Sequence, residues 1–192
     1  MTSYETNPKW LYKPIEVDNL KEIQKEIIPI IYKKIPNFNR SLPQFKIIMR
    51  DEIEPFAPLY TEFIKKFGMI ERWELCVLVT TNLNIDFNIH VDNSDWKTSC
   101  YGLNIPIINC DDSYTVWYDT ELEDTIYDDD DIRNTARIQK PKTDAIEIER
   151  LDASQPAWVN TSIPHRPVST HTRPRAILSA RFNPELHDLL YL

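Results

Sequence analysis

The sequence predicts a mainly β domain whose N-terminal helices pack on one outer face of a sandwich or barrel. Three observations lead there. The hydrophobic period is helical up to about residue 70 and becomes two afterwards. Seven short runs rich in β-branched and aromatic residues follow, separated by turn-like segments. A chain of 192 residues with 42% hydrophobic content suits one domain with a substantial core. The expected division within that single domain, 1–192, is a helical part over about 1–70 and a β core over about 71–183.

The first helix is expected in "NLKEIQKEIIPIIYKKI", where Leu20, Ile23, Ile27, Ile30 and Ile31 form one stripe. Asn19 stands as its N-cap with Glu22 three residues on, and Pro29 should kink or split it. A second helix fits "PLYTEFIKKFG", with Pro58 in the first turn, Leu59, Phe63 and Phe67 in register and Gly68 ending it. The expected strands are 73–80, 84–91, 101–108, 114–118, 146–151, 156–160 and 176–182. Segment 119–144 is polar, charged and poor in strand pattern, the signature of a functional or solvated excursion. Its four consecutive aspartates, Asp128 to Asp131, lack the alternate-ligand spacing and closing glutamate of a calcium loop and suit a solvated acidic loop.

Composition removes several function classes. Only two glycines, Gly68 and Gly102, stand against 14 prolines, so glycine-rich phosphate cradles are excluded and turns fall to Pro, Asn and Asp. A net charge of -8 argues against general binding to nucleic acid or anionic membrane. No run of about 18 apolar residues suggests a membrane span, and the N-terminus lacks the layout of a secretory signal; the expectation is a cytoplasmic protein. Cys76, Cys100 and Cys110 are odd in number and without CxxC spacing, which suggests neither a disulfide framework nor a thiolate zinc site.

The segment "NIDFNIHVD" alternates: Ile85, Phe87, Ile89 and Val91 fall on one face, and Asp86, Asn88, His90 and Asp92 on the other. Side chains two apart on a strand project in parallel, so His90 and Asp92 can converge on one metal ion. Taken alone, the same pattern also describes an exposed histidine beside an aspartate on a solvent-facing strand. The C-terminal stretch "PAWVNTSIPHRPVSTHTRPRAILSARF" adds His165 and, ten residues later, Arg175 at the entry to a strand. Two histidines and one carboxylate leave coordination positions open, as in non-haem Fe(II) oxygenases. An arginine nearby offers a fixed fork for a carboxylate.

In this order and on these elements, His90-x-Asp92, His165 and Arg175 resemble the motif of the 2-oxoglutarate/Fe(II)-dependent dioxygenases, over residues 73–182. The resemblance implies a double-stranded β-helix, a jelly-roll or cupin-like barrel of two four-stranded sheets. It also implies Fe(II) held by His90, Asp92 and His165, with 2-oxoglutarate as co-substrate and its 5-carboxylate paired to Arg175. Dioxygen and 2-oxoglutarate would be consumed, succinate formed, and a small-molecule or peptide substrate hydroxylated. Two features depart from the family: "LDASQPAWVN" has Gln155 and Pro156 where a glycine is common before the distal-histidine strand, and His171 with Arg181 repeats the ten-residue separation. His165 is preferred because it follows the apolar run "PAWV", whereas His171 lies among Ser, Thr and Pro.

Asn104, opposite in parity to Leu103 and Ile105, is a candidate hydrogen-bond partner of the co-substrate, or a buried structural amide. Trp96, Tyr101, Trp117 and Trp158 are candidates for pocket or core, His187 for plain surface, and the cysteines for inert thiols. Loop 93–100 and the acidic excursion are the candidate substrate-facing segments. The competing reading keeps the barrel and drops the oxygenase chemistry: a cupin-like metal-binding or structural jelly-roll, which has no use for Arg175.

Overall fold

The computed structural model describes residues 10–38, 44–67, 72–78, 89–92, 101–124, 139–170 and 173–181, with only the backbone described over 44–47 and 72–78 and at positions 124, 139 and 181. In chain order the elements are β1 (Tyr12–Pro14), α1 (Leu20–Lys34), β2 (Gln44–Ile47), α2 (Arg50–Ile53), α3 (Pro58–Lys65), β3 (Arg72–Leu78), β4 (Tyr101–Ile108) and β5 (Ser113–Asp119). They continue with β6 (Leu122–Asp124), β7 (Gln139–Pro141), β8 (Ile146–Asp152), β9 (Ala157–Asn160), β10 (His165–Ser169) and β11 (Arg175–Arg181). A six-stranded sheet has the order β1-β9-β4-β11-β3-β2, a three-stranded sheet the order β10-β5-β8, and β6 pairs with β7 in a ribbon. Every described pairing is antiparallel. Residues 89–92 join the smaller sheet beside β10 through a bridge between His90 and His165.

From β3 onward the chain crosses between sheets at most connections. Strand β3 lies in the large sheet, 89–92 against the small one, β4 in the large, β5 and β8 in the small, β9 in the large, β10 in the small and β11 in the large.

The two faces of the large sheet do different work. Ile23, Ile27 and Ile31 of α1 and Ile64 of α3 pack in one buried cluster with Leu103 and Ile105 of β4 and Leu178 of β11. Burying each such side chain contributes about 1.5–3 kcal/mol. The opposite face looks toward the small sheet, where Trp117 and Leu151 meet Ala157 and Val159. Strand alternation therefore sends Arg175, Ile177 and Ser179 of β11, and Asn104 of β4, into the space between the sheets. Pro106 occupies a central strand despite having no N–H to give the ladder; the β4–β11 register shifts at that point, between Ala176 and Ile177.

Several local expectations change on the structure. Asn19 takes the N-cap position of α1 in a left-handed conformation (φ 57°) without a side-chain cap bond, and the helix runs unbroken through Pro29. Packing of Ile27, Ile30 and Ile31 outweighs the one backbone bond that proline removes. In α3 the buried stripe is Tyr60, Phe63 and Ile64, while Leu59 is exposed. The Glu26 carboxylate of α1 accepts the N–H groups of Leu59 and Tyr60 at the N-terminus of α3, 3.0 and 3.3 Å away. Gly68 lies outside the described residues, as does most of the expected strand 84–91.

The N-terminal part is not purely helical, since β1 and β2 extend the large sheet at its two edges. The two ends of the acidic excursion pair as β6 and β7; its four aspartates lie outside the described residues. Turns rest on Asn and Asp as composition requires. Asn109 and Asp112 take positive φ (48° and 52°) between β4 and β5. In place of a glycine before β9, the Asp152 carboxylate accepts the Ser154 N–H at 2.8 Å. Among the described residues no helix is long and apolar enough to cross a membrane.

Candidate metal centre

His90 and His165 face each other across the backbone bridge: each N–H donates to the other's carbonyl at 2.9 Å. Cross-strand partners project to the same side, and the two rings lie with centroids 4.7 Å apart. The opposite parity puts Ile89 with Val116 and Tyr118 in an outer cluster, as the alternation in "NIHVD" requires. Asp92, two residues on from His90, returns to the histidine side.

The connection from β9 to β10 fixes both remaining ligand candidates. Asn160 is fully buried; its Oδ1 accepts the N–H of Ser162 at 3.0 Å and the Ser162 hydroxyl at 2.7 Å. That turn presents the Thr161 carbonyl to the Asp92 N–H at 3.0 Å. It also presents the Ile163 carbonyl 2.9 Å from His165 Nδ1. A carbonyl only accepts, so Nδ1 carries the proton, and a neutral His165 turns the Nε2 lone pair outward.

Asp92 Oδ1 then stands 3.2 Å from His90 Nε2 and 3.7 Å from His165 Nε2. The three ligand atoms all lie within 4.8 Å of one another. With metal–ligand bonds of about 2.1 Å, neighbouring ligands on one ion stand roughly 3 Å apart, so Asp92 already stands near that spacing from each histidine, and the widest pair has to close further around a single divalent cation. A lone pair on His165 Nε2 facing a carboxylate oxygen repels it unless a positive charge lies between them; a proton or a metal ion supplies that charge. The site is graded in exposure: His165 is buried, His90 half-buried and Asp92 open to solvent.

Trp117 is the cross-strand partner of His165. Its ring is fully buried and its indole N–H donates to the Asn160 carbonyl at 2.8 Å, so it walls the centre on one side. A register shift between Trp117 and Tyr118 interrupts the β5–β8 ladder beside the site.

Arg175 is 2% exposed and opens β11 on the inward face. The pairings put His165 opposite Trp117 and Ser169 opposite Ser113, while Asn109 Nδ2 donates to the Pro174 carbonyl at 2.8 Å. Arg175 therefore enters at the end of the sandwich where β10 finishes, and His165 stands at the other end of that five-residue strand, roughly 13 Å along it at about 3.3 Å per residue. The Arg175 charge is felt by Cys110. Burial pushes that thiol up and the guanidinium pulls it partly back.

The remaining candidates divide. Asn104 is half-buried on the inward face, with its Oδ1 shielded from solvent. Tyr101 and Trp158 belong to the helix-side core, tilted against Trp10 and edge-on to Phe67 respectively, and do not line the centre. Trp96, His171, His187, Cys100 and loop 93–100 lie outside the described residues, and Cys76 and Arg181 sit where only the backbone is described. Sequence reasoning missed Ser179 and the Ile163 and Thr161 carbonyls. The carbonyls have no side-chain signal, whereas Ser179 had one in its parity with Arg175. Comparison of the chain with protein-family models, with curated proteins and with solved structures gives no match.

Proposed function

We propose that this chain is a non-haem Fe(II)- and 2-oxoglutarate-dependent dioxygenase, acting as a hydroxylase on a small molecule or peptide. The observation that carries the reading is the convergence of His90, Asp92 and His165, brought from two distant segments onto one side of a backbone bridge. Two imidazoles and one carboxylate suit Fe(II) and leave positions for other ligands. The alternation of strands between the two sheets supports a double-stranded β-helix as the fold.

Iron at this centre would supply the activation of dioxygen that couples 2-oxoglutarate decarboxylation to substrate oxidation. The chain's own residues prepare the site for it. His165 is held in one tautomer by Ile163, Asp92 is oriented from its backbone by Thr161, and Trp117 excludes water from the inner side. Arg175 offers a guanidinium fork at the end where β10 finishes, a fixed partner for the distal carboxylate of a five-carbon dicarboxylate. An extended dicarboxylate and an arginine side chain together span a strand of this length. Arg175 also separates this reading from a metal-binding or structural jelly-roll, which needs no guanidinium fork on the inward face for a carboxylate ligand.

Anaerobic titration with Fe(II) and 2-oxoglutarate tests it. A weak visible charge-transfer band that is lost in Arg175→Ala supports the oxygenase. Its absence from folded wild-type protein favours the metal-binding or structural barrel.

A further inference from the structure

Ser179 and Asn104 are direct cross-strand partners on β11 and β4, and both point between the sheets. Ser179 is 3% exposed, and neither its Oγ nor Asn104 Oδ1 has a hydrogen-bond partner among the described residues. A buried hydroxyl or amide left in that state costs about 1–3 kcal/mol, so two side by side on an interior face call for a reason. The adjacent apolar residues show that the sheet can fill this space: Ala157 is the next cross-strand partner of Asn104 and packs on Trp117. Trp117 is in turn the partner of His165. The row Ser179, Asn104, Ala157 thus faces the row that carries His165 across the interior.

We infer that Asn104 and Ser179 form a ligand-recognition pair for an uncharged group that both donates and accepts a hydrogen bond, the chemistry of a carboxamide or an alcohol. Ser179 supplies a hydroxyl donor and Asn104 an amide-oxygen acceptor, one strand spacing apart. A fully ionised dicarboxylate brings acceptors only and leaves Asn104 Oδ1 unmatched. This departs from the co-substrate contact that parity alone suggested for Asn104, and it assigns the pair to the primary substrate. That the ligand is the substrate rests on the oxygenase reading; the recognition chemistry does not.

The test has two arms, both run on the full chain without iron or 2-oxoglutarate, so the oxygenase reading fails separately, on the anaerobic titration. In the first, thermal unfolding compares wild type with Ser179→Ala and Asn104→Leu. Removing a hydroxyl kept for a ligand leaves the melting temperature of the ligand-free protein unchanged or raises it. A fall of several degrees in Ser179→Ala means that the hydroxyl is bonded within the fold and overturns the proposal. In the second, ligand-observed NMR compares propanamide, 1-propanol and propionate. Saturation transfer to propanamide and 1-propanol in wild type, reduced several-fold in both variants and retained in Ser179→Thr, supports the pair. No binding of either probe, equal binding in the variants, or propionate behaving like propanamide overturns it.

Discussion

His90 and His165 exchange both backbone hydrogen bonds at 2.9 Å, and this one bridge sets the geometry of the centre. Because it is made by main-chain atoms, truncating either side chain leaves the strands paired. His90→Ala, Asp92→Ala and His165→Ala should therefore stay folded and lose metal. The expected loss of affinity is on the order of 100-fold or more, since altering even an outer partner of a ligand costs about 10–100-fold. Equilibrium dialysis with Mn(II) as a redox-inert substitute measures it. In wild type, Mn(II) at about 100 times its Kd should add about 2.7 kcal/mol of stability, and EDTA should remove that increment. Wild-type affinity in all three variants would sink the triad.

Arg175 gives the second prediction. Arg175→Met keeps most of the buried volume while removing the charge and the fork. Arg175 makes interactions of its own within the fold, and removing one partner of a buried charged contact destabilises, so the melting temperature should fall while metal affinity should not change. Binding of 2-oxoglutarate should weaken by roughly 10- to 150-fold, the equivalent of about 1.5–3 kcal/mol for hydrogen bonds to a charged group. Arg175→Lys, which keeps charge but not the planar fork, should fall between. Isothermal titration on the Mn(II)-loaded protein reads all three; an unchanged Kd in Arg175→Met would remove the co-substrate role.

What the sequence made legible follows from what kind of interaction each element depends on. Strands with a clear two-residue period, such as β4 and β11, were readable because one face meets the helices and the other the interior. Strand β10, "HRPVS", was not, because Pro167 and the polar His165, Arg166 and Ser169 erase the pattern and only its pairing with β5 makes it a strand. The edge strands β1 and β2 and the ribbon β6–β7 are too short to show a period, and their existence is likewise decided by a partner far along the chain. At the site, His90, Asp92 and His165 carried their own chemical signal. The orientation of His165 depends on the Ile163 carbonyl, and a backbone group leaves no trace in residue type. Leu59 is exposed where a stripe was expected because α3 meets α1 through Tyr60 and Ile64, a choice of face that spacing alone does not make.

Glu26 supplies the third prediction, from a contact that spans 33 residues. Its carboxylate meets the N–H groups of Leu59 and Tyr60 where α3 has no side-chain cap of its own. A carboxylate at a helix N-terminus satisfies orphan donors and complements the helix dipole. Glu26→Ala should destabilise the fold by about 1 kcal/mol, the usual value of a lost cap, and Glu26→Gln by less. Chemical denaturation should show the shift, with Mn(II) affinity unchanged because the contact lies on the far side of the large sheet. A stability equal to wild type in Glu26→Ala would mean that water replaces the carboxylate without cost.

Cys110 sets an alkaline limit on stability. Burial raises its thiol above the ordinary value of 9.0, with Arg175 and the Ile107 and Ile108 backbone groups opposing the rise and Asp111 adding to it. The buried Tyr60 phenol is raised too, by desolvation. For both groups the folded state holds the proton more tightly than the unfolded chain does. Their contribution is fully present below the unfolded pKa and is lost as pH rises from there through the folded value, where the unfolded chain binds fewer protons. Denaturation midpoints should therefore fall as pH climbs above about 9. Cys110→Ala should flatten that fall while lowering stability modestly at neutral pH, where the thiol still packs with Ala153 and Ile177 and donates to the Ala176 carbonyl. Identical alkaline slopes in wild type and Cys110→Ala would leave the fall to Tyr60, and Tyr60→Phe in the same series would then carry the difference.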